Sequence, residues 1–216
     1  NKSLPENPAV CLIAVKPQII FEAISNLNRY KQSETLFISI AAGITLKQLE
    51  KAISSESTII RAMPNTPSAI GKGITALIGN SAAKNEHILI SKILLEKISE
   101  VVELEHEDQM DIVTGLSGSG PAYVFYLIES LTTAGIELGL SKEKALQLAK
   151  ATVAGSGALA MNSADDPSVL RENVTSPNGT TQAGLEILMD KKYGLGPLIK
   201  STVEAAAKRS KDLGNG

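Results

Sequence analysis

A run of small, uncharged residues, TSPNGTTQAG at positions 175–184, precedes a helix-like apolar pattern. The Asn178–Gly179 pair can enter the left-handed backbone region at little cost, so it predicts a tight turn. A helix that begins at Thr180 would direct the free N–H groups of its first turn into that turn. Together with the helix dipole, these N–H groups indicate a binding site for a small anion such as a carboxylate.

Hydroxyl groups flank the same turn. Ser176, Thr180 and Thr181 can donate hydrogen bonds to the anion or to a neighbouring ring nitrogen. The stretch carries no net charge, so it fits a small ligand that is held by one carboxylate without an arginine clamp. A capped turn between two helices would explain the glycine and one threonine, but it explains the whole run less well.

Three other stretches lie at the carboxyl ends of predicted strands, which is where open α/β sheets bind ligands. In AVKPQ (14–18), Lys16 precedes a helix start, where a cation needs either an anion such as phosphate or full solvation. In ISIAAG (38–43), small residues allow a flat ligand to approach the backbone, although tight helix packing is the simpler local explanation. In RAMPNTP (61–67), two prolines fix an extended turn, and Asn65 offers a donor and an acceptor to a ligand or to the turn itself.

Other polar positions have simpler interpretations. GLSGSGPAYVF (115–125) lacks the lysine of a phosphate-binding loop, so a hinge and a helix start are predicted there. Glu129, one of two charges in an otherwise uncharged helix, is assigned to the solvent face. His87 and His106 lie in charged, solvated contexts without Cys, His or Asp neighbours at metal-ligand spacing, and no metal site is predicted.

The elements that must position these residues change in type along the chain. Residues 1–109 alternate strands with helices, which favours an α/β domain with a mostly parallel sheet. Strands are predicted at 9–15, 35–43, 57–65, 73–80 and 100–104, and helices at 18–28, 45–53 and 84–98. The first strand is a continuous apolar run, as expected for a strand covered on both faces. Residues 110–216 are predicted to be helical, at 121–139, 141–163, 179–194 and 195–214.

The composition fits a globular protein with an aliphatic core, because 43% of the 216 residues are hydrophobic and only 3% are aromatic. The net charge of −2 argues against general nucleic-acid binding, and no apolar run reaches the length of a membrane span. The single cysteine, Cys11, permits no intrachain disulfide, which predicts a cytoplasmic protein. The small-sided helix at 151–160 needs a cover, for which a second subunit is preferred over packing within a monomer.

Five motifs occur together in a specific order: AVKPQ, SIAAG, RAMPNTP, TGLSGSGPAYVF and ENVTSPNGTTQAGLE. In order and approximate spacing they resemble pyrroline-5-carboxylate reductases over essentially the whole chain. The resemblance implies a Rossmann-type α/β domain, here lacking its first βαβ portion, followed by an all-α dimerisation domain that interlocks with a second subunit. It also implies dimers that assemble further into a decamer. The implied reaction is hydride transfer from NADPH or NADH to the C=N bond of 1-pyrroline-5-carboxylate, which gives L-proline.

The resemblance also implies roles for individual residues. Cofactor contacts would come from Asn1, Ala14, Val15, Lys16, Ala42, Pro64, Asn65 and Asn173, the last from this chain or its partner. The substrate would be held by Ser176, Gly179, Thr180 and Thr181. Thr181 is the predicted catalytic residue, because its hydroxyl would orient the iminium or relay a proton.

Two features depart from the family pattern. Asn178 replaces the usual first glycine of the substrate turn, with little expected effect because asparagine tolerates the same backbone region. The opening strand, its G-x-G-x-x-G turn and the next βα unit are missing, so we expect these residues to be a portion of a longer chain. Alone, this portion should bind dinucleotide poorly and show weak or no activity.

Two alternatives to the reductase function stay open. They are another two-domain dehydrogenase, such as one for 3-hydroxyacids or prephenate, and a non-catalytic dimerisation module.

Overall fold

The computed structural model describes residues 8–25, 27, 30 and 34–214, whose strands form one five-stranded sheet in the order β1-β2-β3-β4-β5. The strands are β1 (Val10–Ile13), β2 (Leu36–Ser39), β3 (Ile59–Met63), β4 (Gly73–Gly79) and β5 (Ser99–Glu103). β1, β2 and β3 are parallel, β4 is antiparallel to β3, and β5 is parallel to β4. The predicted mostly parallel sheet is confirmed, with its first three strands shorter than expected.

Helices connect the parallel strands, as the alternating pattern predicted. They are α1 (Ile20–Ser25), which follows a 3-10 turn at Pro17–Ile19, α2 (Leu46–Ala52) and α3 (Asn85–Leu95). The predicted cap of α2 is confirmed, because the Thr45 hydroxyl accepts from the Gln48 N–H at 3.2 Å. The Gln48 side chain in turn accepts from the Thr45 N–H at 2.9 Å, which completes a capping box.

Each face of the sheet carries an aliphatic core, because successive side chains of a strand point to opposite faces. One core contains Ile13, Ile20, Phe37, Leu49 and Ile59. The other contains Leu36, Ile38, Ile60, Leu77 and Leu95. The core is built mainly from aliphatic side chains, as the composition predicted.

β1 is covered less completely than its sequence predicts. It lies at the edge of the described sheet, and Leu12 is 56% exposed, whereas its neighbour Ile38 on β2 is 1% exposed. Burial on both faces is therefore wrong at Leu12, because β1 has a described neighbour on one side only. Cys11 points to the covered face and packs against the core, and this burial raises the pKa of its thiol.

The chain after β5 is helical, as predicted. Its helices are α4 (Gln109–Val113), α5 (Gly120–Glu137), α6 (Lys142–Asn162), α7 (Pro167–Asn173), α8 (Thr180–Leu188) and α9 (Leu195–Gly214). A π-helical turn at Thr114–Gly118 precedes α5, where a hinge and a helix start were expected. The predicted start of α6 is confirmed, because the Ser141 hydroxyl accepts from the Lys144 N–H at 3.4 Å.

α7 was not predicted from the sequence. Asp166 caps this helix by accepting from the Ser168 backbone N–H at 2.9 Å, and Pro167 occupies its first position. The side-chain and backbone hydrogen bonds from Ser168 also hold the pKa of Asp166 below its ordinary value. An aspartate followed by proline is a recognisable helix start, so this signal was present in the sequence.

α8 is shorter than predicted and ends at Leu188, not in the Lys191–Lys192 pair. The Asp190 carboxylate accepts from the backbone N–H groups of Lys192 and Tyr193, at 2.9 and 2.6 Å. These bonds close a turn in place of another helical turn, and they lower the pKa of Asp190.

The chain divides into two compact units. One contains the described residues up to Pro121 and those from Val203 onward, and the other is Ala122–Thr202. The domain boundary between 109 and 110 stays a prediction. Among the described residues, no helix is both long and apolar enough to cross a membrane.

The second unit, whose residues are all described, has almost no core of its own. Its buried residues are Thr132, Ala145, Ala149 and Gly194. Its exposed large apolar residues include Phe125, Tyr126, Leu138, Ile187, Tyr193 and Leu198. An apolar surface of this extent marks a contact site.

Candidate functional site

The first group of predicted site residues lies at the carboxyl end of β1. Ala14 and Lys16 are exposed, and Val15 is half-buried. The Lys16 carbonyl accepts from the Ile19 N–H at 3.1 Å, which begins the 3-10 turn after the strand. β1, β2 and β3 are parallel and therefore end at one edge of the sheet, where open α/β sheets bind ligands.

The loop between β2 and α2 presents Ala42, which is exposed beside the buried Ala41. The next residue, Gly43, has φ of 75°, and a Cβ there would lie 3.3 Å from the Cβ of Leu213 on α9. The backbone conformation therefore strongly favours glycine, and the close approach of α9 leaves little room for a side chain. The small residues of this loop serve tight packing, which was one of the two interpretations left open.

A partly buried ion pair holds the start of α2. Arg61 on β3 has a side chain that is 5% exposed, and its Nη1 lies 2.7 Å from Oε1 of Glu107. The same oxygen accepts from the backbone N–H of Leu46, the first residue of α2, at 2.7 Å. Glu107 thus joins β3, α2 and the segment after β5. This pair was not predicted from the sequence, where its signal is an arginine inside an apolar strand.

Pro64 and Asn65 follow β3 and are half-buried. The Asn65 Nδ2 donates to the Ser117 carbonyl at 3.2 Å, and its Oδ1 accepts from the Ile74 N–H at 3.0 Å. The rigid turn predicted from the prolines is confirmed, and it continues as a 3-10 turn at Thr66–Ile70. The Asn65 side chain serves this turn, which was one of the two roles left open for it.

The turn before α8, in the second unit, has the predicted left-handed residue. Asn178 has φ of 54°, whereas Gly179 is extended, with φ of −89° and ψ of 173°. The Asn178 N–H donates to the Gln182 Oε1 at 2.8 Å, and the Gly179 N–H donates to the Ser176 carbonyl at 3.0 Å. A Cβ at Gly179 would collide with the Ser176 Oγ, which can rotate away, and would lie 3.1 Å from the Ser176 carbonyl oxygen, so glycine is favoured here by space and not by conformation.

The amino end of α8 carries no side-chain cap. Gly179 is the capping residue, and it offers no side chain that could accept from the N–H groups of the first helical turn. Ser176, Thr180 and Thr181 are exposed around the same end. Uncapped N–H groups, the helix dipole and hydroxyl donors in one turn form an arrangement that can bind a carboxylate. The role of Gln182 was not predicted from the sequence, where its signal is an amide side chain four residues after Asn178.

The remaining predicted positions are more scattered. Asn173 is exposed at the end of α7, and Asn1 lies outside the described residues. Glu129 and His106 are exposed, as expected. His87 is half-buried instead of solvated, because its Nδ1 accepts from the Lys84 N–H at 3.0 Å at the start of α3.

The structure places the predicted cofactor residues 14–16, 42, 64 and 65 in strand-end loops of the first unit. It places the four predicted substrate residues in one turn of the second unit. Within the described part of the chain, no group of three or more His, Cys, Asp or Glu side chains could hold a metal ion. The ligand contacts of these residues stay predictions.

Comparison with known proteins identifies the helical part first. Residues 107–213 match the family described as pyrroline-5-carboxylate reductase dimerisation. Pyrroline-5-carboxylate reductase 1 of Bacillus subtilis is 38% identical over 213 residues, which cover 99% of this chain and 71% of that protein. Pyrroline-5-carboxylate reductase of Synechocystis is 40% identical over 214 residues, which cover 99% of this chain and 78% of that protein.

Solved structures agree with the sequence relatives. A pyrroline-5-carboxylate reductase from Coxiella burnetii superposes with a TM-score of 0.91 at 35% identity, over 96% of this chain and 77% of that one. The pyrroline carboxylate reductase of Plasmodium falciparum, solved with NADP bound, gives a TM-score of 0.85 at 33% identity, over 95% and 77%. With matches of this identity and coverage, the chain belongs to the pyrroline-5-carboxylate reductase family.

Proposed function

We propose that this chain reduces the C=N bond of 1-pyrroline-5-carboxylate to give L-proline, with NADPH or NADH as the hydride donor. The observation that carries the proposal is the uncapped amino end of α8, preceded by the left-handed Asn178, in a chain of this family. The substrate has one carboxylate beside one imine nitrogen, so it needs an anion site and a hydroxyl donor close together. The turn supplies both kinds of group.

The substrate carboxylate is held by the backbone N–H groups of Thr180 and Thr181, with the helix dipole adding attraction. Gly179 shapes the turn beside the carboxylate, and its own N–H donates to the Ser176 carbonyl. Ser176 contributes a hydroxyl to the same turn. Because these groups are neutral, they hold a carboxylate without placing a fixed cation beside the imine. An iminium, the form that accepts a hydride, is then not disfavoured by a neighbouring positive charge.

The Thr181 hydroxyl is the proposed catalytic group, because it is exposed at this end of α8 and can both donate and accept a hydrogen bond. We assign to it the orientation of the imine nitrogen, or the relay of a proton to that nitrogen. The chain holds the reacting bond in one orientation, which is the main contribution that a protein makes to cofactor chemistry.

The residues at the strand ends fit a dinucleotide. Ala14 and Ala42 expose backbone with small side chains, Lys16 supplies a cation for a phosphate, and Pro64 and Asn65 form a rigid turn. We assign the cofactor contacts to these residues, together with Val15, Asn173 and Asn1. The bound dinucleotide supplies the hydride.

Steady-state kinetics of the complete polypeptide test the proposal. We expect NADPH consumption that depends on 1-pyrroline-5-carboxylate and yields proline in equal amount. Turnover of 3-hydroxyacids or prephenate in place of the imine would favour another dehydrogenase. Saturable dinucleotide binding without turnover of any substrate would contradict the reductase, and no binding at all would favour a dimerisation module.

The role of Thr181 is tested by Thr181→Val, which keeps the shape and the backbone N–H but removes the hydroxyl. We expect kcat to fall on the order of a hundredfold. KM for the imine should change little, because the backbone holds the carboxylate. Thr181→Ser should restore most of the activity. A rise in KM with kcat unchanged would instead assign the hydroxyl to binding alone.

The exposed apolar surface of the helical unit supports a homo-oligomer, because its residues lie within the segment that matches the dimerisation family. We propose a dimer that assembles further into a decamer. Sedimentation velocity of the purified protein distinguishes these two masses. We also propose a cytoplasmic location, which rests on the single cysteine in the sequence and is tested by cell fractionation.

A further inference from the structure

The carboxamide of Asn65 is engaged at both ends by the protein itself. Its Oδ1 accepts from the Ile74 N–H at 3.0 Å, and its Nδ2 donates to the Ser117 carbonyl at 3.2 Å. Both partners are backbone groups, so the contacts fix main-chain positions and not side-chain rotamers. The residue is half-buried at the carboxyl end of β3.

The first hydrogen bond closes the connection between β3 and β4. Ile74 lies nine positions after Asn65, at the beginning of β4. Inside this connection the Ser68 N–H donates to the Asn65 carbonyl at 3.1 Å, and the Lys72 N–H donates to the Pro67 carbonyl at 3.1 Å. The connection is therefore a compact loop that Asn65 begins and holds closed.

The second hydrogen bond reaches a distant part of the chain. Ser117 is 52 positions away, within the π-helical turn at Thr114–Gly118 that leads into α5. This turn packs closely against the end of β3, since a Cβ on Gly118 would lie 2.7 Å from Cε of Met63. π-helical turns are uncommon and concentrate at functional sites.

We propose that Asn65 is a positioning residue, whose side chain locks the Pro64–Asn65 turn to the π-helical turn before α5. The inference rests on the proposed function and deepens it, because the Pro64–Asn65 turn is the one that contacts the cofactor there. The backbone of the turn then serves the dinucleotide, while the carboxamide holds that backbone in place. Fixed placement matters because a small displacement of a reacting group lowers turnover steeply.

The chain provides a matched control in Asn80, which bridges backbone groups at the opposite end of β3. Its Oδ1 accepts from the Ile59 N–H at 3.1 Å, and its Nδ2 donates to the Ser57 carbonyl at 3.0 Å. Asn65→Ala and Asn80→Ala therefore each remove a bridge between two backbone groups, at the two ends of one strand. Asn80→Ala also removes a hydrogen bond from Nδ2 to Oε1 of Glu50, at 3.1 Å, so it is the more severe test of general stability. Asn65→Asp keeps the acceptor for Ile74 but removes the donor to Ser117, and it serves where the alanine variant does not fold.

Two measurements on the complete polypeptide test the proposal: kinetics of imine reduction and amide hydrogen exchange. We expect Asn65→Ala to lower kcat/KM on the order of 10- to 100-fold. Asn80→Ala should keep kcat/KM close to that of the wild type, even where the two variants lose the same amount of melting temperature. In exchange, Asn65→Ala should lose protection at Ile74 and across 114–119, whereas Asn65→Asp should lose it across 114–119 only.

Equal losses of kcat/KM in Asn65→Ala and Asn80→Ala would overturn the positioning role, because both would then reflect general stability. Unchanged exchange across 114–119 in Asn65→Ala would overturn it as well, and a loss of dinucleotide binding in that case would indicate a direct ligand contact. If the wild-type chain proves not to reduce the imine, the proposed function fails. The exchange pattern still decides whether Asn65 joins the two turns.

Discussion

Replacing Glu107 should destabilise the protein more than replacing its partner Arg61, although both changes break one ion pair. The Arg61 side chain is 5% exposed and that of Glu107 is 31% exposed. Glu107→Gln leaves a buried cation without its counter-charge, a change that costs about 3–5 kcal/mol when both partners are buried. Because water reaches the Glu107 side, we expect about 2–3 kcal/mol here. Arg61→Met leaves a carboxylate that water can solvate, so we expect about 1 kcal/mol.

Urea unfolding at a fixed protein concentration measures these changes in the free energy of unfolding. They follow from the shift of the urea midpoint, provided that the dependence of the free energy on urea concentration is unchanged. Glu103→Gln is the matched control, because Glu103 pairs with Lys92 at the same 2.7 Å while both side chains are more exposed, 46% and 31%. It should cost less than about 0.5 kcal/mol. The double variant should be more stable than Glu107→Gln alone, since it removes the stranded cation. A cost for Glu107→Gln no larger than that of the control, or smaller than that of Arg61→Met, would refute the reasoning.

Changes at four further positions probe the backbone, the packing and the pH dependence. Asn178→Gly should leave the melting temperature nearly unchanged, whereas Asn178→Val should cost about 1–2 kcal/mol because a β-branched residue resists a φ of 54°; equal effects would contradict the left-handed turn. Gly73→Ala should destabilise, because its methyl group would lie 2.8 Å from Cα of Ser68. Ser68→Ala should be neutral or stabilising in the same melting assay, because the buried hydroxyl has no hydrogen-bond partner among the described residues; a large loss would reveal a missed partner. Burial raises the pKa of Cys11, so the stability that its neutral thiol contributes is complete below about pH 8.5 and is lost as pH rises through the folded-state pKa. Cys11→Ala should therefore show a smaller decline in unfolding free energy at alkaline pH than the wild type, and equal declines would refute this assignment.

Local signals in the sequence predicted the elements well where a few neighbouring residues determine the backbone. The cap at Thr45, the helix start at Ser141 and the left-handed Asn178 follow from side chains or backbone preferences within four positions. α8 was predicted too long because its end depends on Asp190, whose turn competes with a helical pattern that looks continuous. The motif around 175–184 likewise predicted an open helix start, which the structure confirms.

The sequence alone determined the α/β and helical halves, the family and the turn that contains the predicted substrate residues, because each depends on local pattern or on specific motifs. Only the tertiary structure revealed the Arg61–Glu107 pair, the Asn65–Ser117 bond and the exposed side of Leu12. The two bonds join residues 46 and 52 positions apart, and the exposure of Leu12 depends on which strand lies beside β1. Contacts at such separation are set by the order of strands in the sheet and by packing between its connections, neither of which is encoded in the residues flanking each position.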